Sequence, residues 1–235
     1  MKSADTSLHH YIFPNIHEDG WKFISCMVVI SLFLAILCFP LGCVSFLVAV
    51  WCFYSFRDPV RVTPVLSGAV IAPIDGIIIS ITKEKGPDVL NLQNKKFTRV
   101  CIYSSAFDSH VIRSPIKSQI KSLFYDRGKM FSRSRTKDDI YNEKLSLALR
   151  NSEGFDFALQ QTTVFCSKRI LSNIKINEET ITGQKIGFLR FGGYIDLYLP
   201  EKTQPQVCVG QKMVAGETIM ADIKSDAPRI EGEIR

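Results

Sequence analysis

The chain has 235 residues, 46% of them apolar, with a formal net charge of +6 and a sequence pI near 8.9. That length holds one well-cored domain plus an appendage. The basic bias comes without any RNP-like, helix-turn-helix or zinc-finger pattern, so it is read toward an anionic lipid surface and not toward nucleic acid.

The first 22 residues form an N-terminal segment that carries Asp5, Glu18, Asp19 and Lys22. From Phe23 to Phe56 there is no charged residue, a gap of 34 positions. A straight membrane-spanning helix needs only about 20 residues. Phe39-Pro40-Leu41-Gly42 divides the stretch near its middle, which predicts a short helical hairpin, or one span followed by an in-plane helix. A cleaved leader fits less well, because the stretch begins late and no small-residue cleavage site follows it. A hairpin places both ends on one side, and Lys22, Arg57 and Arg61 then favour the cytoplasmic face.

Beyond about Val65 short apolar runs alternate with Gly and Pro. Ile77–Ile81, Arg99–Tyr103, Ser118–Tyr125, Thr162–Leu171, Lys185–Arg190 and Tyr194–Leu199 read as strands, and two short ones close the series within Val207–Ile223. Helical periodicity is scarce, with one weak candidate at Asp138–Leu149. Residues 83–98 and 126–140 are polar and read as loops or a flap. The last eleven residues, Ser225–Arg235, lack an apolar run and are expected to be disordered. The fold class expected is mainly β, two packed sheets with few helices, behind an N-terminal helical membrane anchor. The expected divisions are 1–22, 23–56, 57–224 and 225–235.

The seven cysteines are odd in number and show no C-x-x-C spacing, which argues for reduced thiols and against a disulfide scaffold. Of the four histidines only His110 lies in the globular region, and no zinc signature is present, so no metal is expected.

Several strings carry chemistry when read in order. They are Phe56-Arg57-Asp58-Pro59, Ala72-Pro73-Ile74-Asp75-Gly76, Phe107-Asp108-Ser109-His110-Val111-Ile112-Arg113-Ser114-Pro115, Asn142-Glu143-Lys144, Arg190-Phe191-Gly192-Gly193-Tyr194-Ile195-Asp196, and Val209–Thr218. In this order they resemble the short bacterial form of phosphatidylserine decarboxylase, over roughly residues 50–222. The resemblance implies a bacterial cell-membrane protein on the cytoplasmic side. Phosphatidylserine would be its substrate and phosphatidylethanolamine its product. It implies a pyruvoyl cofactor made by self-cleavage of one precursor into α and β chains, with a homo-oligomer left open. In that chemistry a serine hydroxyl attacks the preceding glycine carbonyl, and the resulting ester eliminates to leave the pyruvoyl group.

By the same resemblance Asp75 and His110 are the pair that activates the serine, and Arg113 binds the lipid phosphate or carboxylate. Each has a plainer reading. Asp75 can be a turn residue bonded to its own backbone, His110 a buried and satisfied imidazole, and Arg113 a surface ion-pair partner. The cleavage site departs from the family pattern. Where short-form relatives read Arg-Phe-Gly-Ser, this chain reads Arg190-Phe191-Gly192-Gly193. Glycine has no β-carbon, so Gly193 supplies neither the attacking hydroxyl nor the carbon that eliminates. No Gly-Ser or Gly-Thr pair exists elsewhere, and Gly42-Cys43 lies inside the apolar stretch. Thr163-Val164 also replaces an expected Ala-Gly pair. The two expectations are therefore a decarboxylase, or an inactive homologue without pyruvoyl that binds phosphatidylserine or partners an active subunit. A third reading, a carrier built on hammerhead-like turns at Val209–Thr218, ranks last, because Lys212 sits where such a turn would pack.

Overall fold

The uncharged stretch folds as two helices, which satisfy its backbone polar groups internally. In the computed structural model, which describes residues 15–129, 141–163 and 169–225, these are α1 (Glu18–Leu37) and α2 (Phe39–Ser55). Glu18 and Asp19 occupy the first turn of α1, where acidic groups complement the helix dipole. The chain breaks at Cys38, which is extended, and Pro40 falls in the first turn of α2, where its missing N–H goes unneeded. Small residues let the helices meet at backbone distance. A β-carbon on Gly42 would lie 2.5 Å from Ala35 Cα, and Ser31 Oγ donates to the Gly42 carbonyl at 3.1 Å. The two-residue strands β1 (Asn15–Ile16) and β2 (Arg57–Asp58) pair antiparallel, and the His17 amide donates to Phe56 O at 3.0 Å. Both ends of the apolar stretch thus come together. Of the two helices, α1 is long and apolar enough to cross a membrane, and α2 is shorter.

The chain divides into two compact units, Met1–Val60 and Arg61–Arg235. The second is mainly β, as its punctuation predicts. Its strands are β3 (Ala69–Ile71), β4 (Gly76–Lys85), β5 (Lys96–Ser104), β6 (Val111–Arg113), β7 (Ser118–Asp126), β8 (Lys144–Arg150), β9 (Asp156–Thr162), β10 (Ile170–Ser172), β11 (Glu179–Thr180), β12 (Lys185–Leu189), β13 (Gly193–Pro200), β14 (Lys212–Met213) and β15 (Ile219–Asp222). Eight form one antiparallel sheet in the order β11-β7-β8-β9-β13-β5-β4-β14. Strands β10-β12-β6 form a smaller sheet, and β15 pairs with β3. Bulges at Ile78/Ser80 and Ile120/Ser122 bend the larger sheet.

Alternation sets the core. In β13 the side chains of Ile195, Leu197 and Leu199 point inward, beside Ile102 and Val100 of β5 and Leu159 of β9. Each fully buried aliphatic side chain contributes about 1.5–3 kcal/mol. On the opposite face Leu90, Leu92, Phe97, Ala148, Ala158 and Tyr198 form a second cluster.

Two local expectations are corrected. The weak helix candidate at Asp138–Leu149 is strand β8 over its described part from Lys144. Leu145, Leu147 and Leu149 alternate and pair with Gln161, Leu159 and Phe157, so cross-strand packing overrides leucine's helical preference. The polar stretch 83–98 is mostly ordered, with β4 reaching Lys85, a 3-10 turn at Asp88–Leu90 and β5 starting at Lys96. The Thr162–Leu171 run is two strands, β9 and β10, on either side of residues 164–168, which lie outside the described residues. So do residues 130–140 of the expected flap and residues 226–235 of the expected disordered tail.

Candidate active site

The turn from β12 into β13 is left-handed at consecutive positions, with φ +60° at Phe191 and +75° at Gly192. A non-glycine residue in that region stores about 1–3 kcal/mol and needs surroundings that enforce it. At Gly192 only glycine fits, because a β-carbon there would collide with the Ser104 carbonyl oxygen. At Gly193 a β-carbon would lie 2.6 Å from the Thr162 carbonyl oxygen and 3.2 Å from Leu189 Cδ2.

The enforcing group is Arg169. Its Nε donates to Arg190 O at 2.8 Å and its terminal NH2 nitrogen to Gly192 O at 2.7 Å. Its own carbonyl accepts from the Arg190 amide at 2.9 Å. Arg169 is only 8% exposed, and its amide donates to Glu143 Oε2 at 2.9 Å. Glu143, 1% exposed, also accepts from the Tyr125 hydroxyl at 2.7 Å and from Thr163 Oγ1 at 3.3 Å. Burial, reinforced by the hydrogen bond to Glu143, pushes the Tyr125 phenol up to about 12.

His110, fully buried, stands before β6 and packs edge-on against Phe188 with centroids 6.0 Å apart. Its Nε2 lies 2.9 Å from the Ser105 carbonyl oxygen, and since a carbonyl only accepts, Nε2 carries the proton. Ser105 is itself fixed, its hydroxyl and amide both donating to Asp108 Oδ2. Ser104, next in the chain, pairs with Gly193 across β5 and β13. The structure thus brings His110 and the Gly192-Gly193 pair together through Ser104-Ser105.

Asp75 accepts from Arg61 at 2.6 Å and from the Ala215 amide at 2.7 Å. It and His110 each have partners of their own besides any role toward one another. The Arg113 amide donates to Pro73 O at 2.8 Å, which lays the Asp75 turn along the strand that follows His110. The Arg113 side chain is buried, not at the surface. Its guanidinium donates to Gly183 O at 3.0 Å, and its stem fills the space where a β-carbon on Gly216 would sit.

Three polar side chains around Gly193 are buried and lack a hydrogen-bond partner among the described residues: Ser104 (Oγ), Thr162 (Oγ1) and Gln161 (both amide atoms). Leaving such groups unsatisfied costs roughly 1–3 kcal/mol each, which makes this neighbourhood unusual within an apolar core.

Sequence reasoning missed Arg169 and gave Glu143 no role beyond its place in the Asn142-Glu143-Lys144 string. The signal for Arg169 was a guanidinium directly before the apolar Ile170-Leu171 pair, a residue type that buries only when paired.

A sequence model of the family described as phosphatidylserine decarboxylase matches residues 48–221. The chain belongs to the phosphatidylserine decarboxylase family. It is 37% identical to the phosphatidylserine decarboxylase proenzyme of Cereibacter sphaeroides over 94% of this chain and 95% of that protein. It is 36% identical to the proenzyme so named from Ruegeria pomeroyi, over 95% and 100%. The one from Paramagnetospirillum magneticum is 33% identical over 100% and 98%. The family is pyruvoyl-dependent, and making a pyruvoyl group needs the side-chain hydroxyl oxygen of the residue after the cleavage-site glycine as nucleophile and its β-carbon as the future methyl. Gly193 has neither atom, so the residues present do not fit that group.

Proposed function

We propose that this chain serves phosphatidylserine decarboxylation in phospholipid biosynthesis as an uncut member of the family, holding phosphatidylserine at a membrane surface without forming its own pyruvoyl group. Gly193 carries this reading, since no hydroxyl stands where self-cleavage begins. The retained turn at Phe191–Gly192, His110 beside it and Asp75 nearby support a preserved site frame. Arg113 adds to that frame, its guanidinium donating to the Gly183 carbonyl. Residues 23–56 are the anchor, at the cytoplasmic side of a bacterial cell membrane, with the β unit presented to the lipid headgroups. Turnover then falls to a processed partner chain.

The second reading is a decarboxylase in its own right. It is favoured by the family match over most of the chain and by the turn's readiness for chemistry, with a cationic donor on the Gly192 carbonyl. Release of CO₂ from carboxyl-labelled phosphatidylserine by the purified chain decides between them. The first reading expects none, together with sedimentation on phosphatidylserine-containing vesicles. Sustained release overturns it.

A further inference from the structure

We propose that Arg169 is the positioning residue of the cleavage turn, holding the Gly192 carbonyl polarised for attack by a hydroxyl at position 193. The inference deepens the family reading and rests on it for the identity of the scissile bond.

One planar guanidinium spans two carbonyls, with Nε on Arg190 O at 2.8 Å and the terminal nitrogen on Gly192 O at 2.7 Å. A donor at that distance stands where an oxyanion forms when the carbonyl carbon becomes tetrahedral. Bonds from a cationic donor are roughly twice as strong as neutral ones. The guanidinium is also held in advance. The Arg169 amide rests on Glu143, and its carbonyl on the Arg190 amide. Little reorganisation is left for the moment of reaction. A lysine would place one point charge there and could not bridge both carbonyls.

The step it would assist balances as an N-to-O shift. A serine oxygen at 193 bonds to the Gly192 carbonyl carbon, and the Gly192–residue 193 C–N bond breaks. The hydroxyl proton passes to the departing nitrogen, leaving an ester and a free amine. In the natural chain the same clamp holds a carbonyl that nothing attacks.

Two measurements test this. Gly192-Gly193 is the one Gly-Gly pair in the sequence, so glycine labelled with carbonyl ¹³C and with ¹⁵N gives a single coupled signal. In the natural chain, Arg169→Met is expected to move that carbonyl carbon upfield and Arg169→Lys to move it part of the way back. An unmoved signal in a folded variant overturns the proposal, and if Arg169→Met fails to fold, Arg169→Lys alone decides it. In a Gly193→Ser background, Arg169→Met is expected to slow cleavage at 192–193 by about 10²–10³-fold, the scale for loss of one oxyanion donor. Equal cleavage rates overturn the proposal. No cleavage in Gly193→Ser with Arg169 intact also overturns its catalytic part, while the carbon signal still reports the clamp. Neither measurement depends on whether the chain binds phosphatidylserine.

Discussion

The Arg169 guanidinium donates to the Gly192 carbonyl at 2.7 Å, while the Arg169 amide rests on the buried Glu143 carboxylate. Glu143 thereby supports the Phe191–Gly192 turn from one residue further away. Hydrogen bonds to a charged group contribute about 1.5–3 kcal/mol each. Glu143→Ala removes the acceptor of the Arg169 amide and of the Thr163 hydroxyl, and is expected to destabilise the chain by about 3 kcal/mol in denaturant unfolding. Glu143→Gln, which keeps an acceptor oxygen, is expected to lose less.

Burial of the Tyr125 phenol, reinforced by its hydrogen bond to the same carboxylate, sets a pH dependence. The Tyr125 phenol titrates near 10 when unfolded and is pushed up to about 12 in the fold. The folded state therefore favours the neutral phenol. Its contribution is complete below pH 10 and disappears as pH rises from 10 through 12. Absorbance at 295 nm is expected to show a late-titrating tyrosine that Tyr125→Phe removes. The natural chain is expected to lose stability over that window faster than the Phe variant.

Gly192 tests whether the turn is specific. Gly192→Ala adds a β-carbon against the Ser104 carbonyl at φ +75°. The expected loss is about 1–3 kcal/mol from backbone strain alone, and more if β5 must shift. Thermal unfolding measures it. Gly193→Ser places a β-carbon 2.6 Å from the Thr162 carbonyl oxygen at φ +156°, closer than side chains come, so the backbone at the start of β13 or at Thr162 must shift. If Asp75 and His110 are competent, cleavage returns in that variant.

The hairpin makes a separate prediction. Gly42→Leu drives a side chain into the Ala35 backbone and separates α1 from α2. Cysteine pairs placed across the two helices away from Gly42 are expected to cross-link in the natural chain and to do so less in Gly42→Leu.

Much of this architecture is legible in the sequence because it is periodic. The uncharged stretch with Pro40 and Gly42 at its middle announces a helix pair, and alternation of the kind at Ile195, Leu197 and Leu199 announces strands. Leu145, Leu147 and Leu149 alternate equally well. They were misread because a weak helical period was extended through them, and only pairing with β9 decides the matter. At the site, His110 and the Gly192-Gly193 turn were legible from motif order, and the structure places them together. Arg169 and Glu143 were not, since their roles arise from contacts between segments that are distant in sequence. Arg113 carries the opposite lesson: a motif position does not reveal that Gly183 and Gly216 enclose the side chain.

The central claim is that the chain stays whole. Intact-mass measurement of the purified protein, beside a denaturing gel, tests it most directly. The account predicts one chain of 26.5 kDa with Gly192 and Gly193 still joined. Two pieces of 192 and 43 residues, the smaller with a blocked N-terminus, would contradict it.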